Sequence, residues 1–330
     1  MSSYQYICQD DSILLPFLKK NFFSVLHRLI PYGIPANFLT LVSIFVVWSC
    51  FAYFIRLDSP NNTDIFIGIL AIIFYVIFDH FDGLQAKLTL TGSPLGEILD
   101  HFSDVFNSSI IIFILFKSLQ IELKWLFYFS VWVNLIAFSV TYLEQCILRK
   151  LYFGKIGSLE GVIMILIILC SLMTTQGKIF WTRQSIFDYP VYIFLVFTLI
   201  LGVIYTVITS LKRLKYFPKS FLHFLITGSI LFYFCTNNQI SWYLNFLVIN
   251  AYSADFILKS MKSHLITLEH PKPDLIVYIF FIFLFFNTFF GFEKDVIFLC
   301  YGCLISIKII WDFIKIFSEL KHHWVWWNSN

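Results

Sequence analysis

The 330-residue chain is too apolar for a water-soluble domain, because 59% of its residues are hydrophobic and only 13% are charged. A mean hydropathy of +0.80 over this length is typical of a polytopic membrane protein. Membrane lipids are therefore the expected surroundings, and at a formal net charge of only +3 we expect no nucleic acid partner.

The N-terminal segment, residues 1–36, is predicted to be cytosolic and to contain an amphipathic interfacial helix between Ile13 and Ile30. Apolar and polar side chains fall on opposite faces of that helix. The apolar face holds Leu14, Leu18, Phe22, Val25, Leu26 and Leu29, and the polar face holds Lys19, Lys20, Ser24, His27 and Arg28. Such a helix lies along the membrane surface. A helix that packs only against the protein is the alternative.

Ten apolar runs follow, each long enough to span a bilayer with some tilt or with help from flanking residues. They lie at residues 37–55, 64–80, 99–116, 125–147, 159–175, 190–210, 220–236, 239–258, 275–292 and 295–316. The predicted fold is an all-α polytopic membrane protein with about ten transmembrane helices. We assign residues 37–210 to a helix bundle that holds the polar motif described below, and residues 211–330 to C-terminal transmembrane helices.

The distribution of basic residues predicts the orientation. If both termini are cytosolic, 17 of the 23 Lys and Arg residues lie on the cytosolic side and 6 on the other side. This is the direction that the positive-inside rule requires. The ends of the second and third runs that carry the polar motif therefore face the cytosol.

Four aspartates stand at the ends of the second and third apolar runs: Asp79, Asp82, Asp100 and Asp104. Residues three and four apart share a helical face, so each helix would present two carboxylates together. Each acid costs about 2.5 to 3.5 kcal/mol at the centre of a membrane helix, which makes the cluster hard to explain without cations. Ligand sets made only of carboxylates favour Mg²⁺ or Mn²⁺. Aspartates solvated at helix ends are the alternative.

Small residues flank the aspartates. Gly83 and Gly96 have no Cβ atom and Ala86 has only a methyl group, which leaves room for a nucleotide diphosphate to approach the helix backbone. Between the two helices, Ser93 is a predicted N-cap and Pro94 suits the first helical position.

The spacing from Asp79 to Asp104 resembles the signature of the CDP-alcohol phosphotransferase family, D-x2-D-G-x2-A-R-x8-G-x3-D-x3-D. Every interval agrees, and Lys87 stands where the family has Arg. Four further sequence stretches are similar to motifs of the choline/ethanolamine phosphotransferase subgroup. Two lie near the N-terminus: a leader with Tyr4, Tyr6, Asp10 and Ser12, and residues 35–41 with Asn37. The other two are residues 93–101, which end in His101, and residues 157–161, which contain Glu160. The departures are Phe102, Ser103, Ser158 and the order Pro35-Ala36.

The resemblance implies transfer of a phospho-alcohol from CDP-choline or CDP-ethanolamine to diacylglycerol, with release of CMP. Two Mg²⁺ or Mn²⁺ ions would be held by Asp79, Asp82, Asp100 and Asp104, and the nucleotide would be bound by Asn37, Gly83, Ala86, Lys87 and Gly96. The candidate bases for the acceptor hydroxyl are His101, Glu160 and Asp104. His101 is favoured because its unperturbed pKa near 6.5 suits the task, with Glu160 orienting it or taking the proton. A helix-end carboxylate in contact with water is the alternative for Glu160.

Other functions stay open at this stage. A transferase that uses CDP-diacylglycerol as donor and a polar alcohol as acceptor is the first alternative. A non-catalytic scaffold and a transporter are more remote ones. In a eukaryote we expect the endoplasmic reticulum or Golgi membrane, and a homodimer is compatible with the sequence. The sequence does not distinguish choline from ethanolamine.

Overall fold

The fold is built almost entirely from helices, which confirms the predicted all-α class. The computed structural model describes residues 6–122, 124–237, 240–267, 271, 274–291 and 293–320. Its α-helices are α1 (Leu15–Leu18), α2 (Ser24–Leu26), α3 (Ala36–Ile55), α4 (Asn62–Thr89), α5 (Pro94–Ser118), α6 (Trp125–Leu148), α7 (Ser158–Leu172), α8 (Thr175–Thr182), α9 (Val191–Leu214), α10 (Lys219–Asn237), α11 (Trp242–Lys262), α12 (Leu275–Phe290) and α13 (Lys294–Leu320). Two short ladders join β1 (Cys8–Asp10) to β2 (Leu151–Phe153), and β3 (Ser185–Ile186) to β4 (Tyr189–Pro190).

Within the described residues, seven helices are long and apolar enough to cross a membrane: α3, α4, α5, α6, α9, α10 and α13. Helices α7 and α8 are bent by 118° and would add an eighth span if they cross together. The apolar part of α12 is shorter than a full span, and α11 is not among the candidates. The multi-pass architecture is thus confirmed, whereas the predicted count of ten spans is not.

The predicted amphipathic segment forms a continuous helical run, in which a π-helical turn (Lys19–Phe23) and a 3₁₀ turn (His27–Leu29) follow α1 and α2 respectively. Its predicted apolar face is open to the surroundings, with Leu29 77% exposed. Phe23 packs into the protein and stacks on His80 at 4.2 Å between ring centroids, whereas Lys19, Lys20 and Arg28 of the predicted polar face are exposed. His27, also predicted to lie on the polar face, is buried instead.

Contacts divide the chain into two compact units. The first takes its described residues from 6–122, 152–202 and Leu320, and the second from the described parts of 123–151 and 203–319. These units are defined by packing, and the functional division predicted at residue 210 stays a prediction.

In the first unit, α3 packs along α4 and α5, and α7 packs against α4 and α5. Gly68 permits the close approach of these helices. A Cβ atom there would lie 3.1 Å from both Phe54 on α3 and Ile114 on α5, tighter than an ordinary van der Waals contact. The core of this unit therefore lies where α3, α4 and α5 meet.

In the second unit, α6 packs against α10 and α11. Gly228 lies directly under the indole of Trp132, where a Cβ atom would come within 2.1 Å of the ring. Glu144 is 1% exposed and is paired with Arg213, whose Nη2 donates to Oε2 at 2.8 Å. This ion pair is a structural contact inside the second unit.

The turn between α4 and α5 follows the sequence prediction. α4 ends at Leu90, which adopts a left-handed conformation with φ of 56°. The Ser93 hydroxyl then accepts a hydrogen bond from the Gly96 amide at 3.0 Å, and Pro94 occupies the first turn of α5. Because both caps are local, the ends of the two aspartate-bearing helices are fixed close together.

Candidate active site

Helices α4 and α5 bring the four predicted aspartates together. Asp79 and Asp82 lie on α4 and Asp100 and Asp104 on α5, close enough for every pair to interact electrostatically. Asp82 is 4% exposed, whereas the side chains of Asp79 and Asp100 are 25% and 24% exposed. The cluster is therefore shielded from bulk water on one side and open on the other.

The groups that contact these carboxylates are hydroxyls and imidazoles. Thr40 donates to Asp82 at 2.6 Å, and Tyr75 donates to Asp104 at 2.7 Å. His80 lies 3.5 Å from Asp79. Among the residues that the structure describes, no Lys or Arg forms an ion pair with the cluster, and the basic side chains beside it are His80 and His101.

This arrangement fits divalent cations. Oδ1 of Asp100 is buried and has no hydrogen-bond partner among the described residues. Asp100, His101 and Asp104 also offer ligand atoms that lie within 4.8 Å of one another. Oxygen ligands suit Mg²⁺ and Mn²⁺, and an imidazole nitrogen beside them is compatible with a transition metal such as Mn²⁺.

A cavity of about 600 Å³ opens above the aspartates. All five predicted nucleotide-binding residues line it: Asn37, Gly83, Ala86, Lys87 and Gly96. Asp79, Asp82, Asp100 and His101 line it as well, whereas Asp104 and Glu160 are not among the lining residues. The volume suits a small-molecule substrate.

The two glycines of the motif do different things. A Cβ atom at Gly83 would meet nothing within 4 Å, so this backbone is open to a ligand as predicted. A Cβ atom at Gly96 would lie 2.7 Å from Oδ1 of Asn37. Gly96 is therefore explained by close contact with Asn37 on α3 rather than by free space.

His101 is 7% exposed and is held at both ring nitrogens. Nδ1 lies 3.3 Å from Oδ2 of Asp100, and Nε2 lies 3.2 Å from the Tyr6 hydroxyl. A carboxylate can only accept a hydrogen bond, so the neutral ring would carry its proton on Nδ1 and accept from Tyr6 at Nε2. The base candidate is thus oriented by one aspartate of the cluster and one tyrosine of the leader.

The structure places Glu160 at a helix end. It lies in the first turn of α7, where Oε2 accepts from the Gly157 amide at 2.8 Å. Its Oε1 accepts from the Ser12 hydroxyl at 2.5 Å and from the Leu14 amide at 3.2 Å. Its partners belong to the helix cap and to the leader and do not include His101.

Several lining residues were not assigned by sequence reasoning. They include Tyr6, Ile7, Cys8 and Asp10 of the leader, Lys19 and Phe23 of the amphipathic segment, Thr40 on α3, His80 on α4 and the buried Glu97 on α5. Burial raises the pKa of the Tyr6 hydroxyl and of the Asp10 carboxyl. The tyrosine-containing leader and the stretches 35–41 and 93–101 were the only signals in the sequence that pointed to any of them.

Gln85 is a further residue that sequence reasoning missed. It is fully buried, and its Nε2 donates to the carbonyl oxygens of Pro31, Tyr32 and Ile34 at 3.2, 3.3 and 2.7 Å. These bonds fix the chain that enters α3. Gln85 thereby holds the start of the helix that carries Asn37 and Thr40 to the cavity.

A family model described as CDP-alcohol phosphatidyltransferase matches residues 34–208, more than half of the chain. The chain belongs to this family. The match spans the aspartate helices and α7, and it confirms the family predicted from the motif spacing.

Curated relatives agree with this membership. The chain is 28% identical over 191 residues to an uncharacterized CDP-alcohol phosphatidyltransferase class-I family protein of Schizosaccharomyces pombe, covering 56% of the chain and 49% of that protein. It is 26% identical over 188 residues to choline/ethanolaminephosphotransferase 1 of Saccharomyces cerevisiae, covering 55% and 48%. It is 35% identical over 106 residues to choline/ethanolaminephosphotransferase 1 of Arabidopsis thaliana, covering 31% and 27%. The chain thus spans about half the length or less of these relatives.

Proposed function

We propose that this family member transfers phosphocholine or phosphoethanolamine from the CDP-alcohol to diacylglycerol and releases CMP. The observation that carries the proposal is the cavity, which joins uncompensated carboxylates to the open backbone at Gly83 and to Lys87. That combination suits a metal-bound nucleotide diphosphate. The names of the yeast and plant relatives support the choice of choline and ethanolamine.

The four aspartates would hold two Mg²⁺ or Mn²⁺ ions. When bound, such ions neutralise the diphosphate and stabilise charge on the leaving nucleotide. The buried orphan oxygen of Asp100 and the absence of ion-paired Lys or Arg among the described neighbours support this ligand set.

The protein's own residues would bind and orient the donor. Lys87 and Lys19 line the cavity and supply positive charge near the diphosphate. Lys is a flexible point charge, whereas the Arg usual in the family is a planar fork, so these lysines would supply charge with less geometric control over the diphosphate. A phosphorylated polar acceptor would call for Arg near the site, and the described lining contains none. This favours a CDP-alcohol donor over CDP-diacylglycerol.

His101 would take the proton of the diacylglycerol hydroxyl as the new P–O bond forms and the bond to CMP breaks. Asp100 lies at the Nδ1 side of the ring, so Nε2, to which Tyr6 also donates, is the nitrogen that would take the proton when the substrate is bound. Asp104 is a weaker candidate because it belongs to the ligand set and is not among the residues that line the cavity. In a eukaryotic cell the site would face the cytosol from the endoplasmic reticulum or Golgi membrane.

Membranes that contain the full chain provide the test. Labelled CDP-choline, CDP-ethanolamine and CDP-diacylglycerol are supplied in parallel, with and without chelator, and lipid products are separated. We expect metal-dependent transfer from one or both CDP-alcohols to diacylglycerol. Product formed only from CDP-diacylglycerol would contradict the proposal, and Asp58→Asn, at an exposed loop position, serves as the control for carboxylate loss.

A further inference from the structure

The leader, here residues 6–14, runs along the cavity and contains the short strand β1 (Cys8–Asp10). The amide of Asp11 donates to the carbonyl of Phe153 at 3.1 Å, and the amide of Ile13 donates to the carbonyl of Lys155 at 3.3 Å. Tyr6, Ile7, Cys8 and Asp10 of the leader all line the cavity. The leader therefore forms one wall of the site.

Glu160 fastens this wall to α7. Its Oε1 receives the Ser12 hydroxyl and the Leu14 amide, while Oε2 receives the Gly157 amide at the start of α7. An ionised acceptor makes each of these hydrogen bonds stronger than a neutral pair would. Ser12 and Glu160 are 148 positions apart in the chain, so the carboxylate joins two distant segments.

The end of the leader reaches the proposed base. The Tyr6 hydroxyl lies 3.2 Å from Nε2 of His101, and the two ring centroids are 5.8 Å apart. Because Asp100 meets the other ring nitrogen, rotation of the imidazole would break a contact on each side. Tyr6 therefore fixes the direction in which Nε2 points.

We infer that Tyr6 is a positioning residue for His101, and that Glu160 acts on the reaction at a distance, through Ser12 and the leader, rather than by touching His101. This inference rests on the proposed transfer reaction and refines it. Glu160 becomes the anchor of the wall that carries Tyr6, and the carboxylate that contacts the base is Asp100.

The first test removes only the Tyr6 hydroxyl. We expect Tyr6→Phe to lower kcat about tenfold, the upper range for one hydrogen bond, with KM for the CDP-alcohol nearly unchanged. In a His101→Ala background the same change should have no further effect, because the group it positions is gone. Tyr233→Phe, at a 61% exposed position on α10, is the matched control. A wild-type kcat in Tyr6→Phe would overturn the inference.

The second test addresses the anchor. Ser12→Ala removes the hydroxyl contact to Glu160 but leaves the Leu14 amide bond and the Gly157 cap of α7 in place, so it weakens the anchor without touching the cap. We expect Ser12→Ala and Glu160→Gln each to lower kcat, and the double variant to be no worse than the more impaired single variant. Fully multiplicative losses would show that the two side chains act independently and would overturn the anchor.

A third readout does not depend on activity. Cys8 lies on the leader at an exposed position, and partial desolvation of its thiol raises the thiol pKa, which lowers the fraction of reactive thiolate. The exposed Cys170, Cys300 and Cys303 are first replaced by Ser, and alkylation of Cys8 by N-ethylmaleimide is followed by mass spectrometry of the full chain in lipid nanodiscs. We expect Ser12→Ala and His101→Ala each to speed alkylation, because each removes one hydrogen bond that keeps the leader in place: Ser12 to Glu160 in the first case and Tyr6 to His101 in the second.

The readouts separate two failures. If the wild-type chain transfers no phospho-alcohol, the proposed function fails, and the alkylation rates still decide whether the leader is held at Ser12 and at His101. Unchanged alkylation rates in both variants would overturn the inference, whatever the chain transfers.

Discussion

Asp82→Asn is the substitution with the clearest expected effect. The Asn side chain keeps the shape of Asp82, and its Oδ1 can still accept the hydrogen bond from Thr40. In the wild-type chain the Thr40 hydroxyl lies 2.6 Å from the Asp82 carboxylate oxygen. What is lost is one negative charge at a position that is 4% exposed, where solvent screens poorly. The effect on catalysis therefore reports charge rather than packing.

The magnitude follows from Coulomb's law. Two unit charges 4 Å apart interact by about 4 kcal/mol at an effective dielectric constant of 20. A loss of that size in the transition state lowers the rate about a thousandfold, since each 1.36 kcal/mol is tenfold. We expect transfer activity in Asp82→Asn to fall by at least this factor at any Mg²⁺ or Mn²⁺ concentration.

The same substitution that lowers activity should raise thermal stability when metal is absent. Four acids that repel one another destabilise the folded state, so removal of one charge should raise the Tm of the chelated protein. The rise in Tm that added Mn²⁺ gives to the wild type should shrink in the variant. Activity within tenfold of wild type, or an unchanged metal-induced shift in Tm, would refute the carboxylate–metal reasoning.

Three further predictions concern residues that line the cavity. His101→Ala should lower kcat by about two to four orders of magnitude, the usual worth of a general base, and equilibrium binding of the CDP-alcohol should be nearly intact; near-normal turnover would remove it as the base. Lys87→Ala should raise KM for the CDP-alcohol while Lys87→Arg keeps or raises activity, and an unchanged KM in Lys87→Ala would place its charge away from the diphosphate. Gly96→Ala should lower Tm because its Cβ would meet Asn37 at 2.7 Å, whereas Gly83→Ala should leave Tm unchanged and raise KM; equal Tm losses would contradict the different roles.

The sequence by itself determined the local part of the site. Helical spacing of three and four residues placed each pair of aspartates on one face, and this needs no knowledge of distant contacts. The Ser93 cap and Pro94 start of α5 were also predictable, because both act within one turn. The membrane class followed from composition, which is a property of the whole chain.

Only the tertiary structure decided which distant residues contact the other polar side chains in and around the site. Tyr6 reaches His101 across 95 positions and Ser12 reaches Glu160 across 148, and no local pattern encodes pairings over such distances. The same holds for the bend of 118° after α7, which depends on packing rather than on apolar length. Hydrophobicity and helical period depend on neighbours along the chain, whereas the partner of a polar side chain depends on how the helices and the leader pack. The sequence could therefore identify Glu160 as a candidate functional carboxylate, but only the structure shows that its partners are Ser12, Leu14 and Gly157.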